Sequence, residues 1–199
     1  MPTLYLILAH FIADFVLQPD RIVKMKHESW KGNLIHSGIH GLTGLVIMTP
    51  FLPNPAVFIA ILIVTVSHFF IDSAKIQIEK SAHRFVKTFL LDQSAHLILI
   101  IGAGYLLRNE QVAPWFSEFR FAEMWYLNPL VAVGLILIIL ATYGYELLLY
   151  QYDRSKKRDT GFKPNRRRMV RNLLLFGVVY VLFLIFGVYS VAVTGLGGV

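Results

Sequence analysis

The 199 residues are 56% hydrophobic and only 16% charged, with a mean hydropathy of +0.59 and a formal net charge of +7 at pH 7. Soluble domains carry about one-quarter charged residues, so this balance excludes an ordinary water-soluble fold and points to a bilayer. No cysteine is present, which excludes a disulfide framework and thiolate ligation and leaves nitrogen and oxygen as the only metal donors.

Apolar blocks run from Thr3 to Leu17, Asn33 to Leu52, Pro55 to Ala74, Phe89 to Leu107, Leu127 to Tyr150 and Val170 to Thr194. A helix of about 20 such residues crosses about 30 Å of hydrocarbon. The sequence therefore predicts an all-α integral membrane protein with six transmembrane helices in a single membrane domain, 1–199. The first block lacks a basic leader and a small-residue cleavage site, so it reads as a retained helix. Gln18-Pro19-Asp20 stops it, because proline disfavours helix at the preceding residue. Residues 1–107 read as a four-helix bundle around a polar site. Residues 108–126 read as an outer interfacial segment anchored by Trp115, Phe116, Phe119, Phe121, Trp125 and Tyr126. Residues 127–199 read as a two-helix buttress with a basic cytoplasmic loop, 151–171.

Orientation follows from the basic residues. Seventeen of the 19 Lys and Arg fall in segments 18–32, 75–88 and 151–171, leaving Arg108 and Arg120 on the other side. The positive-inside rule then places those segments in the cytoplasm of a bacterial inner membrane and both termini outside. A basic cluster such as Arg166-Arg167-Arg168 beside a span meets anionic lipid headgroups, so membrane lipids are the expected partners and nucleic acid is not.

Four of the predicted helices carry polar pairs at i, i+4: His10 and Asp14, His36 and His40, His68 and Asp72, Asp92 and His96. Residues four apart share one helix face, and ionisable groups in a bilayer must find partners or a cavity. The eight side chains should therefore converge. With the helices alternating in direction, Asp14, His36, Asp72 and Asp92 form a shallow rung about one turn, roughly 5 Å, from the basic side. His10, His40, His68 and His96 form a rung one turn deeper, and both rungs should open toward the cytoplasm. His10-Phe11-Ile12-Ala13-Asp14 and His68-Phe69-Phe70-Ile71-Asp72 share the pattern H-F-x-x-D, and His36/His40 matches Asp92/His96. The first two hairpins look duplicated, implying a pseudo-twofold along the membrane normal.

Imidazole and carboxylate suit zinc, and also iron or manganese, so all eight residues are candidate ligands for one or two divalent ions. Three carboxylates and a hydroxide would balance two such ions. Gln18 and Gln93 lie beside the rungs and could orient a ligand. Lys75 is expected to snorkel to the headgroups, Glu146 to cap or pair, and His27 and His83 to lie on solvated surface.

The run His10-Phe-Ile-Ala-Asp14-Phe-Val-Leu-Gln18, a basic stretch, His36-x-x-x-His40 and His68-x-x-x-Asp72 resembles the bacterial membrane family called domain of unknown function 3307, over about the first hundred residues. The resemblance implies a membrane location and brings no activity. A looser likeness, in membrane-embedded His and Asp pairs alone, is to membrane-bound metal-dependent hydrolases of the YdjM type.

These features favour a metal-dependent hydrolase acting at the cytoplasmic face on a lipid-linked or phosphate-ester substrate. Asp14, Asp72 and Asp92 are its candidate catalytic residues, bridging metals or acting as base. The alternatives are a divalent-cation or proton-coupled transporter and a redox protein with haem between histidines.

Overall fold

A computed structural model describes residues 1–82, 85–156 and 162–195; His83, Arg84, Lys157, Arg158 and the terminal Gly197 and Gly198 lie outside them. The chain is helical, with no strand among the described residues. Helix α1 (Pro2–Phe11) opens on a proline, whose missing N–H is unneeded in a first turn. It continues into a wider π turn, Ile12–Val16, closed by Leu17 N–H donating to the Ile12 carbonyl at 2.9 Å. Such turns insert one residue and re-aim the side chains around it, and this one carries Asp14.

Pro19 ends that segment as expected, and α2 (Asp20–Glu28) follows. Ser29 caps α3 (Trp30–Ile47), its hydroxyl accepting the Gly32 N–H at 3.1 Å. A Cβ at Gly32 would strike the Met25 backbone carbonyl, so glycine there lets α2 fold back against α3. Next come α4 (Pro55–Ala82) and α5 (Phe85–Tyr105). The expected loop 75–88 is almost wholly helical, because it contains neither glycine nor proline to break the pattern. Two short helices, α6 (Pro114–Ser117) and α7 (Arg120–Tyr126), lead to α8 (Pro129–Ile139), a second π turn (Leu140–Gly144) and α9 (Tyr145–Ser155). Helix α10 (Arg166–Gly195) closes the chain.

Three helical stretches are long and apolar enough to cross a membrane: Pro55–Ser81, Phe85–Tyr105 and Pro129–Ser155. This is consistent with a membrane protein. Pro2–Val16 is apolar but shorter, and α3 is diluted by Lys31, Asn33, two histidines and four glycines.

Helix α1 packs on α3 and α5, and α4 packs on the same two, so four helices close a ring with α1 opposite α4 and α3 opposite α5. Helix α8 packs on α1, α9 on α5, and α10 on α8 and the second π turn. One end of the ring is filled by Tyr5, Leu6, Phe51, Val57, Ile61 and Ile100. Gly104 lets α1 approach α5, since a Cβ there would overlap the Thr3 side chain. The outer segment joins this core: Tyr126 stacks on Tyr5 at 4.1 Å and donates its hydroxyl to the Ile47 carbonyl at 2.6 Å, while Trp115, Phe119 and Trp125 stay exposed.

Candidate metal centre

The ring brings all eight candidate residues together and buries them, each with 0 to 7% of its surface exposed. In the deep rung His10 lies 5.2 Å from His40 and 5.0 Å from His96, ring to ring, while His68 stacks on His40 at 3.6 Å and on His96 at 4.2 Å. At those spacings no flat macrocycle fits between them.

The two rungs interleave rather than stack separately. Asp14 Oδ1 lies 3.1 Å from Nε2 of both His36 and His40, and 3.8 Å from His68 Nε2; the His36 and His68 Nε2 atoms are 3.0 Å apart. The cause is side-chain direction. Cα–Cβ bonds tilt toward a helix's N-terminus, so Asp14 on the π turn that extends α1 leans away from the basic end while His40 on the antiparallel α3 leans toward it, and they meet.

Asp14, His36, His40 and His68 thus form a four-residue group that could hold a metal ion. A tetrahedron with bonds of about 2.0–2.1 Å has edges of about 3.3 Å; four of the six separations, at 3.0 to 3.8 Å, bracket that edge, and all six lie within 4.8 Å. Two further groups share its members or adjoin it: His10, His68 and His96, and Asp72, Asp92 and His96. Several buried atoms in and beside them make no hydrogen bond among the described residues: both His10 ring nitrogens, His68 Nδ1, Asp92 Oδ1, Gln93 Oε1 and His96 Nε2, although Asp92 Oδ1 and His96 Nε2 face each other at 3.3 Å and His10 Nε2 lies 3.6 Å from Asp14 Oδ2. A buried polar atom without a partner costs about 1–3 kcal/mol, so a cluster of them fits a site built to receive a ligand.

Two lysines complete the cluster. Lys26 Nζ donates to Asp72 Oδ2 at 2.9 Å and Lys75 Nζ to Asp92 Oδ2 at 2.7 Å. Lys75 therefore does not snorkel: the α4 helix continues past Asp72 and turns its ammonium onto the carboxylate of α5. Sequence reasoning missed Lys26, counting it as a loop cation. Its signal was indirect, in three carboxylates on apolar helices that needed a positive partner. The lysines also correct the charge argument for two ions, which ignored their two positive charges.

Both glutamines reach the site. Gln93 donates to Asp14 Oδ2 at 2.9 Å and to Asp92 Oδ2 at 3.2 Å. Gln18 is satisfied with its amide oxygen facing Lys26 Nζ at 2.7 Å and His36 Nε2 at 3.1 Å, its nitrogen donating to the Asp14 carbonyl at 3.2 Å. The expected opening at the basic end is covered: α2 lays Lys26 over the carboxylates, and the groove outside is lined by Lys26, His27, Trp30, Asn33, Gln77 and Lys80. His27 is half-buried there rather than solvated, and burial together with Lys26, Arg154 and Lys75 lowers its pKa to about 4. Glu146 pairs with Arg168 and accepts the Asn165 N–H at 2.9 Å, in keeping with a capping and salt-bridge role.

Fold and site together define an all-helical protein, with three helices long and apolar enough to cross a membrane, that encloses a His/Asp cluster able to hold a metal. The chain belongs to the family described as Protein of unknown function (DUF3307), whose model matches residues 3–122 and so spans α1 to α5 with all eight residues. No curated protein and no solved structure matches the chain.

Proposed function

We propose that the chain is a metal-dependent hydrolase of the bacterial inner membrane, cleaving a lipid-linked or phosphate ester at the cytoplasmic face. The observation that carries this is the convergence of Asp14, His36, His40 and His68 inside the bundle, with four of their ligand-atom separations at 3.0 to 3.8 Å. On this reading six spans cross the membrane: α1 with its π turn, α3, α4, α5, α8 with α9, and α10. They form one domain with the Lys/Arg-rich end in the cytoplasm. The ring order, with α1 opposite α4 and α3 opposite α5, supports a pseudo-twofold relating the two H-F-x-x-D helices.

A divalent ion, most simply zinc, would polarise the scissile group and ease deprotonation of a water. The protein does the rest. His36, His40 and His68 present nitrogen donors; Gln93 holds Asp14 in place. Water attacks phosphorus, the ester P–O bond breaks, one of Asp14, Asp72 and Asp92 takes the water's proton, and the leaving oxygen receives it. The groove at Lys26, with exposed Trp30 on its rim, supports approach of a headgroup from the basic side. Anionic lipids would gather at the same face.

An exchange carrier is disfavoured because that end of the ring is filled by Tyr5, Leu6, Phe51, Val57 and Ile61, an apolar plug with no buried charged side chain beyond the deep histidines among the described residues. The test is phosphate release from short-chain phosphatidate in mixed micelles by the purified protein. Turnover lost with a chelator and with Asp14→Asn is expected. No turnover, together with zinc flux in proteoliposomes that His68→Ala abolishes, would replace the hydrolase with a transporter.

A further inference from the structure

The four-residue group leaves three buried donors unused: His10 Nε2, Asp92 Oδ1 and His96 Nε2, none of which makes a hydrogen bond among the described residues. Two of them belong to a second constellation. Asp72 and Asp92 each turn Oδ2 to a lysine, Lys26 and Lys75, and each turns Oδ1 to the same nitrogen, His96 Nε2, at 3.7 and 3.3 Å. These separations again match the edge of about 3.3 Å expected around a small divalent ion.

We propose a second divalent-cation position, held by Asp72, Asp92 and His96 with His10 at its margin, that fills together with a phosphate group. The proposal rests on the metal reading above. Three protein donors leave a coordination place open for an outside ligand, which a closed four-donor set lacks. The positions adjoin, because Asp72 Oδ2 also lies 3.6 Å from His36 Nε2 and 3.7 Å from His68 Nε2, so this carboxylate stands between the two groups.

Charge identifies the ligand. Asp14, Asp72 and Asp92 with Lys26 and Lys75 sum to one negative charge, so one divalent ion leaves +1 and two leave +3. Such an excess is unfavourable in a buried, low-dielectric site unless an anion enters with the second ion. A phosphate monoester carries up to two negative charges at neutral pH and is a hard oxygen donor. Free phosphate and a phosphorylated lipid headgroup present the same chemistry, and only the lipid brings an apolar tail suited to the membrane.

The experiment is zinc titration of the detergent-purified protein, alone, with inorganic phosphate, and with phosphatidate in the micelle, followed by calorimetry and elemental analysis. Two equivalents are expected, the second bound at least tenfold more tightly when phosphate or phosphatidate is present; a response to phosphatidate alone assigns the lipid source. Asp92→Asn and His96→Gln should each keep one tight equivalent, which also reports correct folding, and lose the phosphate response. A single equivalent under all conditions, two retained by both variants, or loss of both ions from both variants overturns the second position. A protein binding no zinc at all overturns the metal reading itself.

Discussion

Lys26 Nζ on the capping helix α2 lies 2.9 Å from Asp72 Oδ2 on α4, with both side chains buried. Removing one partner of a buried ion pair leaves the other charge uncompensated, at a cost of about 3–5 kcal/mol. Lys26→Met should therefore destabilise the metal-free protein by about that amount, and Lys26→Met with Asp72→Asn by clearly less. Chemical unfolding in detergent of both single variants and the double, read as a double-mutant cycle, checks this; additive losses would dissolve the coupling.

Gln93 touches two carboxylates from a position one residue after Asp92. Groups that orient a metal ligand typically change affinity by about 10- to 100-fold when removed. Gln93→Leu should weaken zinc within that range without abolishing it, as measured by competition with a chromophoric chelator. Unchanged affinity would show that Asp14 needs no such support.

Gly104 is a point of close approach between α1 and α5, where a Cβ would overlap the Thr3 side chain. Gly104→Val should cost about 1–3 kcal/mol by overpacking, and Gly104→Val with Thr3→Ala should recover part of it. Thermal unfolding decides; no recovery would place the strain elsewhere.

His27 has its pKa lowered to about 4 by burial and by neighbouring Lys26, Arg154 and Lys75, against about 6.5 in an unfolded chain. A depressed histidine binds its proton more readily when unfolded, so it subtracts stability as pH falls from 6.5 toward 4. His27→Gln should flatten that part of the stability curve, and the His27 ring should stay neutral at pH 5.5 by nitrogen-15 NMR. A ring half-protonated near pH 6.5 would contradict the burial argument.

Much of the site was legible because i, i+4 spacing is a local property. One turn of helix puts His68 and Asp72 on the same edge whatever the neighbours do. The cost of ionisable groups among apolar ones then forces the edges together. What was not legible depends on tertiary direction. The opposed tilt of Asp14 and His40, which merges the rungs, follows from antiparallel packing. The placement of Lys26 follows from a corner at Gly32 that lets α2 fold over the bundle. Helix continuity through Lys75 was readable from the absence of Gly and Pro, but a polar composition argued more loudly for a loop.

The most direct test of the four-donor centre is X-ray absorption on protein loaded with one equivalent of zinc. The account predicts a shell of four nitrogen and oxygen donors at about 2.0–2.1 Å, with outer scattering from three imidazoles that falls to two in His40→Ala. An oxygen-only hydrated shell, or imidazole scattering unchanged in His40→Ala, would contradict it.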